Sequence, residues 1–165
     1  MKNLRKDTVI IVLLSILSFA TTAQQYKTAI GFRFGGQTNG LTVRHFTNSK
    51  TALEGILSVG HNAFLVTGLY EKFVPISGAS GLNWFYGIGG HVGFFREDGY
   101  YFYNKKRVIY YDNNSTVVGI DGIIGLDYKF KNVPINLGID IKPFMDFYSG
   151  ASLFGDGALN FRFIF

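Results

Sequence analysis

From residue 26 onward the chain alternates apolar and polar positions with a period of two. The ending shows it most cleanly: Leu159, Phe161, Phe163 and Phe165 fall on one face, Asn160 and Arg162 on the other. Successive side chains of a strand point to opposite faces, so such segments predict strands with one oily and one polar side. Eight segments read this way: 26–35, 40–47, 51–59, 63–73, 81–96, 116–130, 133–146 and 156–165. None sustains a helical period. In the first, Tyr26, Thr28, Ile30, Phe32 and Phe34 oppose Lys27, Ala29, Gly31, Arg33 and Gly35. In 133–146, Ile135, Leu137, Ile139 and Ile141 oppose Asn136, Gly138, Asp140 and Lys142. Segment 63–73 carries two competing stripes; Phe64, Val66 and Tyr70 are assigned outward because this sends Glu71 to the polar face.

The polar faces collect Arg33, Arg44, Lys129, Lys142 and Arg162, with Glu54, Glu71, Asp121, Asp127 and Asp140, five of each sign. Inside a narrow barrel such charges must be paired and hydrogen-bonded. A soluble sandwich would instead put them on its wet surface, and parity alone leaves both arrangements open.

The amino terminus tilts the balance. Lys2, Arg5 and Lys6 precede an apolar run from Val9 to Ala20, and Thr21-Thr22-Ala23 offers a small-residue cleavage site. The run is short for a spanning helix, which needs about 20 residues, so residues 1–23 are expected to be a cleaved export signal. Without them 13 basic and 10 acidic residues remain, a formal charge of +3, which removes the main support for a nucleic-acid partner. The absence of Cys excludes a disulfide framework, a thiolate metal site and a lipoprotein anchor. The remaining 142 residues suit one domain, 24–165.

An exported chain of even strand number, with about ten residues per strand, fits a tilted crossing of a bilayer. Both mature termini are then periplasmic, with short turns near 47–50, 74–80 and 131–132 and the longest connection, 97–115, outside. Tyr26, Tyr70, Trp84, Tyr128 and Phe165 would form an aromatic girdle at the periplasmic interface. Gly81, Gly87, Gly89, Gly93, Gly119 and Gly125 lie on inner faces, leaving room for Arg and Lys stems in an interior that side chains fill.

The segments Ile123-Ile124-Gly125-Leu126-Asp127-Tyr128-Lys129-Phe130 and Val133-Pro134-Ile135-Asn136-Leu137-Gly138-Ile139-Asp140, the leader and the ending carry a resemblance. With them the whole mature chain resembles the small outer-membrane β-barrel family of Bacteroidetes, itself similar to eight-stranded OmpA/OmpX-type barrels. The ending, with Phe161, Phe163 and Phe165, resembles the carboxy-terminal signal read by the outer-membrane barrel assembly machinery. The resemblance implies residence in the cell outer membrane among lipid and lipopolysaccharide. It implies no particular activity.

Candidate chemistry is thin. By parity His91 points inward and His45 outward, while His61 sits in a short outer loop. Small barrels that modify lipid A use a His and a Ser within hydrogen-bond reach at the rim, and no Ser with a convincing acid partner stands near His61. Asp121 and Asp127 lie six residues apart on one strand, about 20 Å, too far to share a ligand. Gly87-Ile88-Gly89-Gly90 precedes no helix, which argues against a phosphate loop. Lys105-Lys106-Arg107 is the one basic run. It reads as a solvated hairpin tip or, with Tyr101, Tyr103 and Tyr110, as a recognition surface for lipopolysaccharide phosphates or an acidic extracellular partner.

The expectation is an all-β, eight-stranded antiparallel transmembrane barrel, monomeric because closure leaves no free edge. No catalytic, cofactor or metal residue is assigned, and the role is structural or adhesive. A narrow channel, a lipid-modifying enzyme and a soluble exported ligand-binding barrel are the alternatives.

Overall fold

The computed structural model describes residues 27–100, 102–103, 106–107, 114–148 and 151–165. No helix occurs among them. The strands are β1 (Thr28–Gly35), β2 (Asn39–Asn48), β3 (Thr51–Pro75), β4 (Leu82–Tyr100), β5 (Phe102–Tyr103), β6 (Lys106–Arg107), β7 (Ser115–Lys129), β8 (Ile135–Phe147) and β9 (Ala151–Ile164). A closed barrel runs β1-β2-β3-β4-β7-β8-β9, and β5 pairs only with β6. Every neighbouring pair is antiparallel, including the closing pair β1 with β9, where Ala29 faces Ile164 and Gly35 faces Ala158.

Eight separate strands were expected and seven close the barrel. Segments 51–59 and 63–73 are one strand, β3, 25 residues long. Its first part pairs with β2, as in Asn39 opposite Val59, and its last part with β4, as in Pro75 opposite Asn83. The Phe73 amide donates to the Lys50 carbonyl at 2.8 Å, so the strand doubles back on itself. Asn62, with φ of 52°, sits where it reverses. Seven neighbours cannot all alternate in direction around a ring, and this internal reversal is what lets the antiparallel ladder close.

Strand limits also differ from the sequence reading. β4 continues to Tyr100, opposite His61, and the β5–β6 pair follows, so 97–115 is not one uniform loop. The Thr28 amide donates to the Phe165 carbonyl and the Phe165 amide to the Thr28 carbonyl, at 3.1 and 2.9 Å. Both ends of the closed sheet therefore meet at one rim, beside the turns at 49–50, 76–81 and 130–134.

Burial alternates as the sequence pattern requires. Ile135 to Phe147 reads half-buried, buried, exposed and so on, with Ile139 and Ile141 out and Asp140 and Lys142 in. In the ambiguous stretch of β3, Phe64, Val66 and Tyr70 are exposed while Leu65, Leu69 and Glu71 are buried. The buried face is not uniformly polar. Ala52, Ile56, Leu69, Phe73, Phe85 and Ile123 form one apolar cluster; Ala63, Leu65, Phe95, Val117, Phe144 and Phe154 form another.

Candidate functional site

The chemistry of the barrel is concentrated in its buried charges, which fall into three groups. The largest is centred on Arg44 of β2. Its guanidinium lies 2.7 Å from Glu54, 2.8 Å from Glu71 and 2.8 Å from Asp127. Arg44 and Glu54 are direct cross-strand partners on β2 and β3, whereas Asp127 arrives from β7. Arg162 of β9 shares this site, 2.6 Å from the second Glu54 oxygen and 3.9 Å from Asp127. Thr42 donates to Glu54, and the Asn136 amide donates to Asp127 at 2.7 Å. The guanidinium also lies over Phe73 and Phe85, 5.0 and 4.8 Å from the ring centres. A planar cation with five donors suits a site where three carboxylates and two aromatic faces converge.

The second group joins β1, β8 and β9. Arg33 lies 2.8 Å from both Asp140 and Asp156. Thr38 Oγ1 and the Gln37 backbone amide donate to Asp156, and Asn160 donates to Asp140. In the third, His91 of β4 stands between Asp121 of β7 and Asp146 of β8, its Nδ1 and Nε2 at 2.7 and 3.0 Å. Lys142 pairs with the other Asp121 oxygen. The His91 and Phe144 rings meet in a T-shaped arrangement, and Lys142 Nζ sits 4.5 Å from the centre of the Phe144 ring.

Of the ten charges expected on the inner face, Arg33, Arg44, Glu54, Glu71, Asp121, Asp127, Asp140, Lys142 and Arg162 are buried. Lys129, at the end of β7, is half-buried. The sequence reading missed Asp146, Asp156 and Thr42, all buried, whereas Asn136 and Asn160, placed on the polar faces by parity, are buried there and complete the hydrogen bonding. A signal for them exists: Asp156 shares parity with Asn160 and Arg162, and Asp146 with Lys142. The balance of five and five is therefore corrected. Among the described residues seven carboxylates are buried against Arg33, Arg44, Lys142, Arg162 and His91.

The inner glycines have a different use from the one expected. A Cβ on Gly87 would meet the Tyr70 carbonyl first and then Glu71, one on Gly119 the His91 ring and the Met145 carbonyl, and one on Gly125 the Ile139 carbonyl and then the Phe85 ring. They let the neighbouring strand's backbone approach closely and leave room for an acid, an imidazole and a phenyl ring, rather than for Arg and Lys stems.

His45 is exposed and hydrogen-bonded to Thr28 Oγ1 at 3.0 Å; His61 is exposed on β3. Of the candidate surface residues, the backbones of Tyr103, Lys106 and Arg107 belong to the β5–β6 pair, while Tyr101, Lys105 and Tyr110 lie outside the described residues. Residues 1–23 and Tyr26 also lie outside them. Trp84, Tyr128 and Phe165 are exposed near the rim where Thr28 and Phe165 meet; Tyr70 pairs with Ile88, farther from it. Phe161 shares the outward parity of Leu159 and Phe163 but is half-buried, packing edge-on against exposed Phe163.

No family model matches the chain, and no curated protein matches it.

Proposed function

We propose that this chain is an integral outer-membrane β-barrel, exported by residues 1–23, with both mature ends periplasmic and its interior filled by side chains. One observation carries the reading. Polarity is inverted relative to a soluble fold: Arg33, Arg44 and Arg162 are 1% exposed, while Ile88, Ile141, Leu153 and Leu159 are 72, 63, 62 and 61% exposed. Water would not leave guanidinium groups inside and a continuous aliphatic surface outside. Hydrocarbon reverses both preferences, and a closed ladder satisfies the backbone there.

The three charge groups and two apolar clusters cross the interior, which favours a plug over a conducting path. In this reading the barrel is a small member of the outer-membrane kind found in Bacteroidetes. It contacts lipid and lipopolysaccharide, is folded by the barrel assembly machinery through Phe161, Phe163 and Phe165, and acts structurally or as an adhesive surface through 97–115. Electrophoresis of isolated outer membranes, heated and unheated, tests this. A band that migrates faster unheated and survives carbonate washing is expected. Release by carbonate without a mobility shift would point to a soluble exported barrel. Ohmic single-channel conductance in planar bilayers would replace the plug with a pore.

A further inference from the structure

We propose that the barrel mouth beside Thr28 and Phe165 is a binding site for a small anion carrying a flat apolar body, an aryl phosphate or aryl carboxylate. A cavity of about 190 Å³ opens there. Lys129, Asn83, Phe46 and Phe73 line it on the inner-facing parity of their strands, joined by the exposed Lys27 just before β1. Both lysines therefore border the mouth, Lys129 from the wall of the barrel and Lys27 from its rim.

The floor is aromatic. Phe46 and Phe73 meet at 4.9 Å between ring centres, and Phe73 stacks on Phe85 at 5.2 Å with Arg44 beneath. This layer separates the cavity from the Arg44 group and gives a planar apolar body a surface to lie on. The walls supply cations from Lys129 of β7 and Lys27 just before β1, with amide and hydroxyl groups from Asn83, from Thr47 and Asn48 at the end of β2 and from Ser49. No carboxylate lines the cavity among the described residues, although seven are buried deeper in the wall. Directly below the phenyl layer the acids Glu54, Glu71 and Asp127 are paired with Arg44 and Arg162, so that group is sealed from the mouth by the rings. An anion is attracted to the mouth by the two lysines and kept from descending by the rings. A small ligand with an anionic head and an aryl body suits a cavity lined by two phenyl rings and two lysines.

The test uses the full mature chain, refolded in zwitterionic micelles and titrated with phenyl phosphate while backbone amide resonances are followed. Saturable shifts are expected at Gly81, Asn83 and Asn48. Inorganic phosphate and benzyl alcohol should each bind about ten-fold more weakly, since each lacks one half of the recognition. The K27Q/K129Q double variant should lose about ten-fold in affinity for phenyl phosphate. F46L should weaken phenyl phosphate and leave inorganic phosphate unchanged. If the double variant shows no heat-dependent gel shift, K27Q alone, altered at an exposed position, should weaken binding about three-fold. Shifts that fail to saturate, equal response to benzyl alcohol, perturbation of Leu137 and Ile139 on the outer wall instead, or full affinity in the lysine variants would each overturn the proposal.

Discussion

Arg44 touches Glu54, Glu71 and Asp127 and lies over two phenyl rings. Removing one partner of a buried ion pair leaves its acids uncompensated, at a cost of about 3–5 kcal/mol. Arg44→Met should therefore lower the unfolding free energy extrapolated from urea titration by that margin, more than loss of any single carboxylate. Glycines divide sharply by face. A Cβ on Gly31 would collide with the Phe161 carbonyl and the Arg162 backbone across the closing seam; one on Gly55 or Gly68 meets open space. Gly31→Ala should abolish the fast-migrating folded band, while Gly55→Ala and Gly68→Ala should shift stability by less than about 0.5 kcal/mol. Period-two parity in the sequence is enough to mark most of the buried charges. It assigns Glu71 correctly in a segment with two plausible stripes, because only one choice hides the acid. Pairing is not legible in the same way. Arg33 meets Asp140 and Asp156 more than a hundred positions away, and that depends on the stagger between strands, which no local pattern records. Asp146 and Asp156 escape the sequence reading because each stands at the end of its expected strand, where the alternation has neighbours on one side only.

At the level of elements, the turn-like Gly60-His61-Asn62 predicts a break between two strands. The chain reverses there while staying extended on both sides, so β3 runs on as one element. A second irregularity lies in β8. Its ladder with β7 keeps one register from Val118–Phe147 to Lys129–Asn136 but skips Gly122–Pro143 and Ile123–Lys142. Proline has no N–H to give, and this one is exposed on the outer wall. Pro143→Val should restore a donor to the β7 side and raise stability by about 1 kcal/mol, with slower hydrogen exchange at Ile123 and Ile124 as the local sign. β4 and β7 meet without a gap from Leu82–Tyr128 to Phe95–Ser115, and exchange there should not change.

For the molecule as a whole, the proposed lipid setting can be probed through its outer wall. Ile88 projects outward at mid-strand, opposite Gly122 on one side and Tyr70 on the other. A lysine on the lipid face near the midplane costs about 2–4 kcal/mol in such barrels. Ile88→Lys should thus reduce folding into phospholipid vesicles by that amount, whereas a soluble barrel would tolerate the charge or gain solubility from it. The doubled hydrogen bond between Thr28 and Phe165 carries a different consequence. Because the first and last strands are neighbours in the ring, the sheet has no intrinsic beginning, and the chain could be circularly permuted by a short linker across that rim with new ends cut at Ser49–Lys50. Such a permutant keeps every ladder, so it should refold in micelles and show the gel shift. Phe165 would no longer be terminal. If assembly in cells then fails while refolding in vitro succeeds, the phenylalanine serves the sheet as a residue and the cell as an end, two roles that only a rewired chain can pull apart.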